Sequence, residues 1–210
     1  MVRMKGGKQV SERTTTPLLG EAFSRALIFA ADQHGTQVRK GGDIPYLGHL
    51  LSVAGLVIEA GGTENQAIAA LLHDAVEDAE NGDGPNVLAQ IRSEFGDEVA
   101  GIVDECSDTA EQPKPPWKLR KQTYIEHLAH ASDGAVLVSL ADKLDNARAI
   151  LRDLRQHGDA LWQRFTVKDP AQHMWYYESL LKTFTARRPG CPMVDELSRV
   201  VGAWNAEFRS

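Results

Sequence analysis

A chain of 210 residues with 42% hydrophobic side chains is long enough to bury one sizeable core, and its ordinary Gly and Pro content excludes fibrous and disordered classes. A formal charge of −6, from 29 acidic against 23 basic residues, does not draw nucleic acid or acidic lipid. No apolar run reaches the roughly 18 residues of a membrane span, residues 1–8 lack the apolar core of a signal peptide, and Cys106 and Cys191 stand too far apart in sequence context to suggest a disulfide framework or thiolate site, so the cytoplasm is the expected compartment.

Residues 1–16 are polar, with Gly6-Gly7 and Thr14-Thr15-Thr16 and no apolar period, and read as a flexible tail. Residues 17–210 are expected to form a single domain. From Glu21 to His34 the residues Ala22, Phe23, Ala26, Leu27, Phe29 and Ala30 recur at helical spacing, and Gly35 supplies the stop. A charged, Gly-rich loop, Arg39-Lys40-Gly41-Gly42-Asp43-Ile44-Pro45-Tyr46, leads to a second helix from about Gly48 to Ala60, ended by Gly61-Gly62. His49 falls in its first turn.

Thr63-Glu64-Asn65-Gln66 is a capping-box pattern opening a third, strongly apolar helix. Its pattern runs through Leu71-Leu72 into His73-Asp74-Ala75-Val76-Glu77-Asp78 without a breaker, so a continuous helix is expected to stack His73 over Glu77 and Asp74 over Asp78. Pro85 begins a helix to Phe95, Gly96-Asp97 begins another through Val103, and Trp117 to Ala131 is amphipathic. The apolar run Val136 to Ala141 could pass for a buried strand, but its period continues through Leu144, Ala147, Ile150, Leu151 and Leu154 to Gly158, which marks a helix. Helices starting near Asp169-Pro170 and Pro192 complete an all-α bundle.

Three of these helices carry residues with metal-ligand chemistry: His49, the pair His73-Asp74, and Asp142. An Asp at the end of so apolar a run is costly to bury without a cation or strong donors. Two imidazoles and two carboxylates suit divalent manganese, zinc, iron or nickel, and four protein ligands leave octahedral positions for water and a phosphate oxygen. Glu77 and Asp78 then read as the acid-base pair, with Glu77 facing the water and Asp78 contacting substrate or fixing the ligands.

The pattern His49, His73-Asp74 and Asp142 resembles that of the HD-domain phosphohydrolase superfamily. Arg39-Lys40 with Pro45-Tyr46, Leu72-His73-Asp74 with Glu77-Asp78, Phe95-Gly96, and Leu140-Ala141-Asp142-Lys143-Leu144 with Asn146 narrow the resemblance to the hydrolase domain of the RelA/SpoT homologues. With no synthetase or regulatory domain in the sequence, the chain looks like a stand-alone small alarmone hydrolase of the Mesh1 type, over roughly residues 20–185.

The resemblance implies a compact HD-domain helical bundle that removes the 3′-pyrophosphate of guanosine tetra- or pentaphosphate, (p)ppGpp, with manganese or another divalent metal. It implies His49, His73, Asp74 and Asp142 as ligands, Glu77 and Asp78 as the catalytic pair, and Arg39, Lys40, Lys143 and Asn146 as substrate contacts. Tyr46 is a candidate aromatic wall near the base, and Lys121 a candidate phosphate contact from the basic stretch Lys118-Leu119-Arg120-Lys121. Asp145-Asn146 departs from the His-Asn of the long enzymes and the Tyr-Asn of the Mesh1 type, and an added carboxylate near the metal is expected to repel phosphate. That departure keeps open an HD hydrolase for adenosine alarmones or another phosphoester, and a rival of another class is a nucleotide-sensing module without turnover. The expected partner is a small nucleotide polyphosphate, not nucleic acid or membrane, bound by a monomer or homodimer.

Overall fold

The computed structural model describes residues 18–79, 82–107 and 115–207; the expected tail over residues 1–16 and Lys114 lie outside the described residues. Within them the chain forms nine α-helices: α1 Glu21–Gln33, α2 Leu47–Glu59, α3 Glu64–Leu72, α4 Gly84–Phe95, α5 Asp97–Cys106, α6 Trp117–Leu128, α7 Asp133–His157, α8 Pro170–Arg187 and α9 Pro192–Glu207. A 3-10 segment, Gly158–Arg164, follows α7. The only pairing of extended backbone among the described residues is an isolated bridge between Val38 and Pro45.

Two helices form the centre. In α3 the Thr63 side chain accepts from the Gln66 backbone N–H while the Gln66 side chain accepts from the Thr63 N–H, closing the expected capping box. Every residue from Ala67 to Leu72 is buried, because α1, α2, α5 and α7 all pack on this short helix. Each fully buried Leu or Ile there stabilises the fold by about 1.5–3 kcal/mol. In α7, Ser132 caps the N-terminus through the Ala135 N–H, and the buried face continues from Gly134 to Leu154. Helices α2, α3, α5, α8 and α9 pack against it. Gly134 permits the close approach to α5, since a Cβ there would meet Ile102 Cδ1 at 2.7 Å.

The third expected helix ends earlier than its pattern suggests. It stops at Leu72, and residues 73–78 form successive turns. The His73 ring Nδ1–H donates to the Ala70 carbonyl at 2.8 Å, giving an end-of-helix carbonyl a side-chain partner in place of the next backbone N–H. The bond from Asp78 N–H to Asp74 O, 2.9 Å, keeps one helical turn, so the Glu-Asp pair still follows closely on the His-Asp pair.

The loop before α2 is ordered by its own backbone. Arg39 N–H donates to Ile44 O at 2.9 Å and Tyr46 N–H to Gln37 O at 2.9 Å, bracketing a narrow turn that carries Arg39 and Lys40. Gly41 at its tip has φ +81°, a conformation that favours glycine, and a Cβ there would meet the Arg164 side chain at Cδ, 2.2 Å away, and push it aside.

Candidate metal centre

His49 comes from the first turn of α2, His73 from the C-cap of α3, Asp74 from the turn beyond it and Asp142 from the third turn of α7. Ligand atoms of His49, His73 and Asp74 all lie within 4.8 Å of one another. Asp142 joins them from the opposite wall: its Oδ1 stands 3.3 Å from His49 Nε2 and 3.8 Å from His73 Nε2. Asp74 Oδ2 is 3.0 Å from His73 Nε2 and 3.7 Å from His49 Nε2. The two rings meet edge to face with centroids 5.4 Å apart.

The tautomers follow from the outer partners. His73 Nδ1 faces a carbonyl, which only accepts, and His49 Nδ1 lies 2.7 Å from Asp145 Oδ2. Each Nδ1 therefore carries a hydrogen, and each Nε2 presents a lone pair to the centre when the ring is neutral. Both Nε2 atoms are buried without a hydrogen-bond partner: the carboxylate oxygens at 3.0–3.8 Å are near in distance but not aligned as acceptors. Two inward lone pairs beside the buried Asp142 and partly covered Asp74 carboxylates are a set that a divalent cation satisfies and that costs free energy without one.

Electrostatics express the same conflict. Burial pushes His73 toward its neutral form, yet Asp74 and Asp142 outweigh it and hold its pKa well above the ordinary value. His49 is raised as well, Asp142 and Asp145 overcoming burial. Burial pushes Asp74 up, but His73 pulls its carboxyl far below the usual carboxylate range; Asp142 is held low against burial by Lys143 and the two histidines. The carboxylates thus favour positive charge at the two imidazoles, the charge that a bound cation would supply in place of a proton.

Around this centre the structure places the remaining candidates unequally. Tyr46 reaches Asp74 through its hydroxyl, which donates to Oδ2 at 2.5 Å, and its ring packs between His34 and His49. Lys143 Nζ donates to Asp142 Oδ2 at 2.6 Å and lies over the Tyr124 ring, while Asn146 Nδ2 donates to Asp142 Oδ1. Asp78 accepts from Gln37 Nε2 at 2.8 Å, and Gln37 in turn bonds the buried His34 through Nδ1 at 2.5 Å. Glu77 is half-buried in the same turn. Arg39 is mostly covered and Lys40 is exposed at the rim. Lys121 belongs to a separate patch on α6, its ammonium 5.3 Å from the Tyr176 ring centroid, beside Lys118 over Trp175 at 5.2 Å.

Asp145 corrects an expectation. It is not a loose negative charge beside the centre: Oδ2 accepts from His49 Nδ1 and also from Arg39 NH2 at 3.3 Å. Its spacing three residues after Asp142 places both on one face of α7, a signal the sequence does carry. Gln37 as a partner for Asp78 has no such signal.

An HD-domain profile matches residues 26–171. The chain belongs to the HD domain family. It is 39% identical over 144 residues to the guanosine-3′,5′-bis(diphosphate) 3′-pyrophosphohydrolase MESH1 of Xenopus tropicalis, covering 67% of this chain and 74% of that one, and 38% identical to the human MESH1 with the same coverage. A guanosine-3′,5′-bis(diphosphate) 3′-pyrophosphohydrolase of Aquifex aeolicus is 35% identical over 137 residues, which are 64% of this chain but 18% of that protein. Among solved structures, a metazoan orthologue of SpoT described as hydrolysing ppGpp superposes with a TM-score of 0.68 at 30% identity, over 89% of this chain and 96% of that one. HD hydrolases are metal-dependent, in keeping with the His/Asp cluster.

Proposed function

We propose that this chain is a metal-dependent 3′-pyrophosphohydrolase of guanosine 3′,5′-polyphosphates, releasing pyrophosphate and GDP or GTP. The observation that carries the reading is the convergence of two buried, unpartnered imidazole Nε2 atoms with two carboxylates, Asp74 from the turn after α3 and Asp142 from α7. It is supported by relatives named for that reaction that span most of their length on this chain. His49, His73, Asp74 and Asp142 hold the divalent cation, manganese first among the candidates.

A bound divalent cation supplies Lewis-acid charge for a phosphate oxygen and lowers the pKa of water. The water oxygen bonds to phosphorus as the bond from that phosphorus to the 3′ oxygen breaks, so pyrophosphate gains the water oxygen and the nucleotide leaves with a 3′ hydroxyl. Glu77 takes the proton of the attacking water and returns it to the departing 3′ oxygen, and Asp78, held by Gln37, orients the substrate side of the same turn. Tyr46 aims Asp74 through its hydroxyl and offers its ring to the base. Arg39 and Lys40 on the loop, with Lys143 and Asn146 on α7, present donors for phosphate oxygens, and Lys121 receives the far phosphates.

Residues 17–210 act as one catalytic unit in the cytoplasm, as a monomer or homodimer. None of the described helices is long and apolar enough to cross a membrane. The test is product formation by manganese-loaded protein on guanosine and adenosine 3′-pyrophosphates in parallel, with Asp74→Ala as control. Pyrophosphate release from the guanosine substrate, lost in the variant, is the expected result. Metal binding with turnover of neither substrate would overturn the reading.

A further inference from the structure

Asp145 stands behind His49 and touches two elements at once. The His49 side chain is fully buried, and its outer nitrogen has one acceptor, Asp145 Oδ2 at 2.7 Å. The same oxygen receives Arg39 NH2 at 3.3 Å from the loop before α2. Asp145 and Arg39 are both mostly covered, at 19% and 18% side-chain exposure, so the contact is sheltered from the screening that weakens a surface pair. One carboxylate therefore fixes the ring that faces the centre and the cation that stands at its rim.

We infer that Asp145 is a positioning residue of the metal site: it holds His49 as the Nδ1–H tautomer with Nε2 inward, raises that ring's strength as a ligand, and pairs with Arg39 of the preceding loop behind the ring. The inference rests on the proposed metal-dependent function for its purpose but not for its measurement. A carboxylate accepting from the outer nitrogen of a ligand imidazole locks ring orientation and increases basicity, and losing such a partner costs about 10- to 100-fold in metal affinity. His73 solves the same problem with the neutral Ala70 carbonyl, so the two rings differ in the charge behind them. Arg39 offsets the carboxylate's charge, which is why an added acid can sit here without facing an incoming phosphate as an unpaired anion.

The experiment measures manganese affinity of the full chain, with no nucleotide present, by competition with a fluorescent chelator, alongside ring ¹⁵N spectra of His49 in the metal-free protein at a pH high enough for the ring to be neutral. Asp145→Ala should weaken manganese binding by about 10- to 100-fold and return His49 to a mixture of tautomers. Asp145→Asn keeps an acceptor but removes the charge; it should preserve the tautomer and fall between the two affinities. Arg39→Ala should leave manganese affinity near that of the parent chain, because the bond to His49 remains. Should Asp145→Ala lose its helical signal, Asp145→Asn carries the test through its affinity. Parent-like affinity for Asp145→Asn and for any folded Asp145→Ala, or a lowered melting temperature with metal affinity unchanged, would overturn the inference. A parent chain that binds manganese but leaves guanosine 3′-pyrophosphate intact would sink the hydrolase reading alone.

Discussion

The centre and the rim of the site are built on different principles. His49, His73 and Asp142 are buried on helices locked by α2, α3 and α7, and each His has an outer partner that fixes its tautomer. The rim is made of long cations drawn onto nearby groups, Lys143 onto Asp142 and Arg39 onto Asp145, and the separate patch on α6 holds Lys121 and Lys118 over aromatic rings. A buried donor set is preorganised, so its geometry need not be assembled when a ligand arrives. Rim cations must exchange partners to reach a phosphate, so individual rim residues should contribute less than those of the centre.

The largest effect should come from the acid-base turn. Glu77→Gln keeps the shape of the side chain but cannot accept a proton as a carboxylate does, and turnover should drop by about 10²- to 10⁴-fold with manganese occupancy unchanged. Near-parent turnover at full occupancy would show that the proton goes elsewhere, with Asp78 the next residue to test.

A smaller effect is carried by the protons of the two histidines when chelator withholds the metal. In the metal-free fold both histidines are raised above the ordinary value of 6.5, so the folded chain binds protons more tightly than the unfolded one. That contribution to stability is complete below the unfolded pKa and is lost as pH rises through the folded pKa values. The chelated protein should therefore melt at lower temperature as pH increases above about 6.5. Manganese affinity should change in the opposite direction, because fewer protons remain to be displaced. Calorimetric melting with and without chelator across that range checks both signs, and a chelated protein that gains stability there would contradict the assignment.

The smallest effect should be at the α6 patch. Lys121→Ala removes one cation that is shared with the Tyr176 ring, and it should raise KM while leaving kcat nearly unchanged, as loss of uniform binding does. A large fall in kcat would move Lys121 from that patch into the chemistry and erase the distinction between the two regions.

The same division governs what the sequence makes legible. Capping at Thr63-Gln66, the stops at Gly61 and Gly158 and the long apolar face of α7 are local signals, and the helices follow them. The donors His49, His73, Asp74 and Asp142 stand out as polar residues inside apolar patterns, and the fold brings them together. The end of α3 was not legible, because Ala75 and Val76 continue the helical period without a breaker; the turn depends on a side-chain bond from His73 to Ala70. The short 3-10 segment with buried Leu161 and Trp162 follows Gly158 with no apolar period of its own. Asp145 read as a repulsive charge because its partners, His49 and Arg39, lie about a hundred positions away, and only the packing of α2 and its preceding loop on α7 pairs them.

The most direct test of the central claim is anomalous diffraction from a manganese-soaked crystal of this chain. The account predicts one strong peak bounded by His49 Nε2, His73 Nε2 and the carboxylates of Asp74 and Asp142, lost in Asp142→Ala. A peak elsewhere with that centre empty, or one undiminished in the variant, would contradict it.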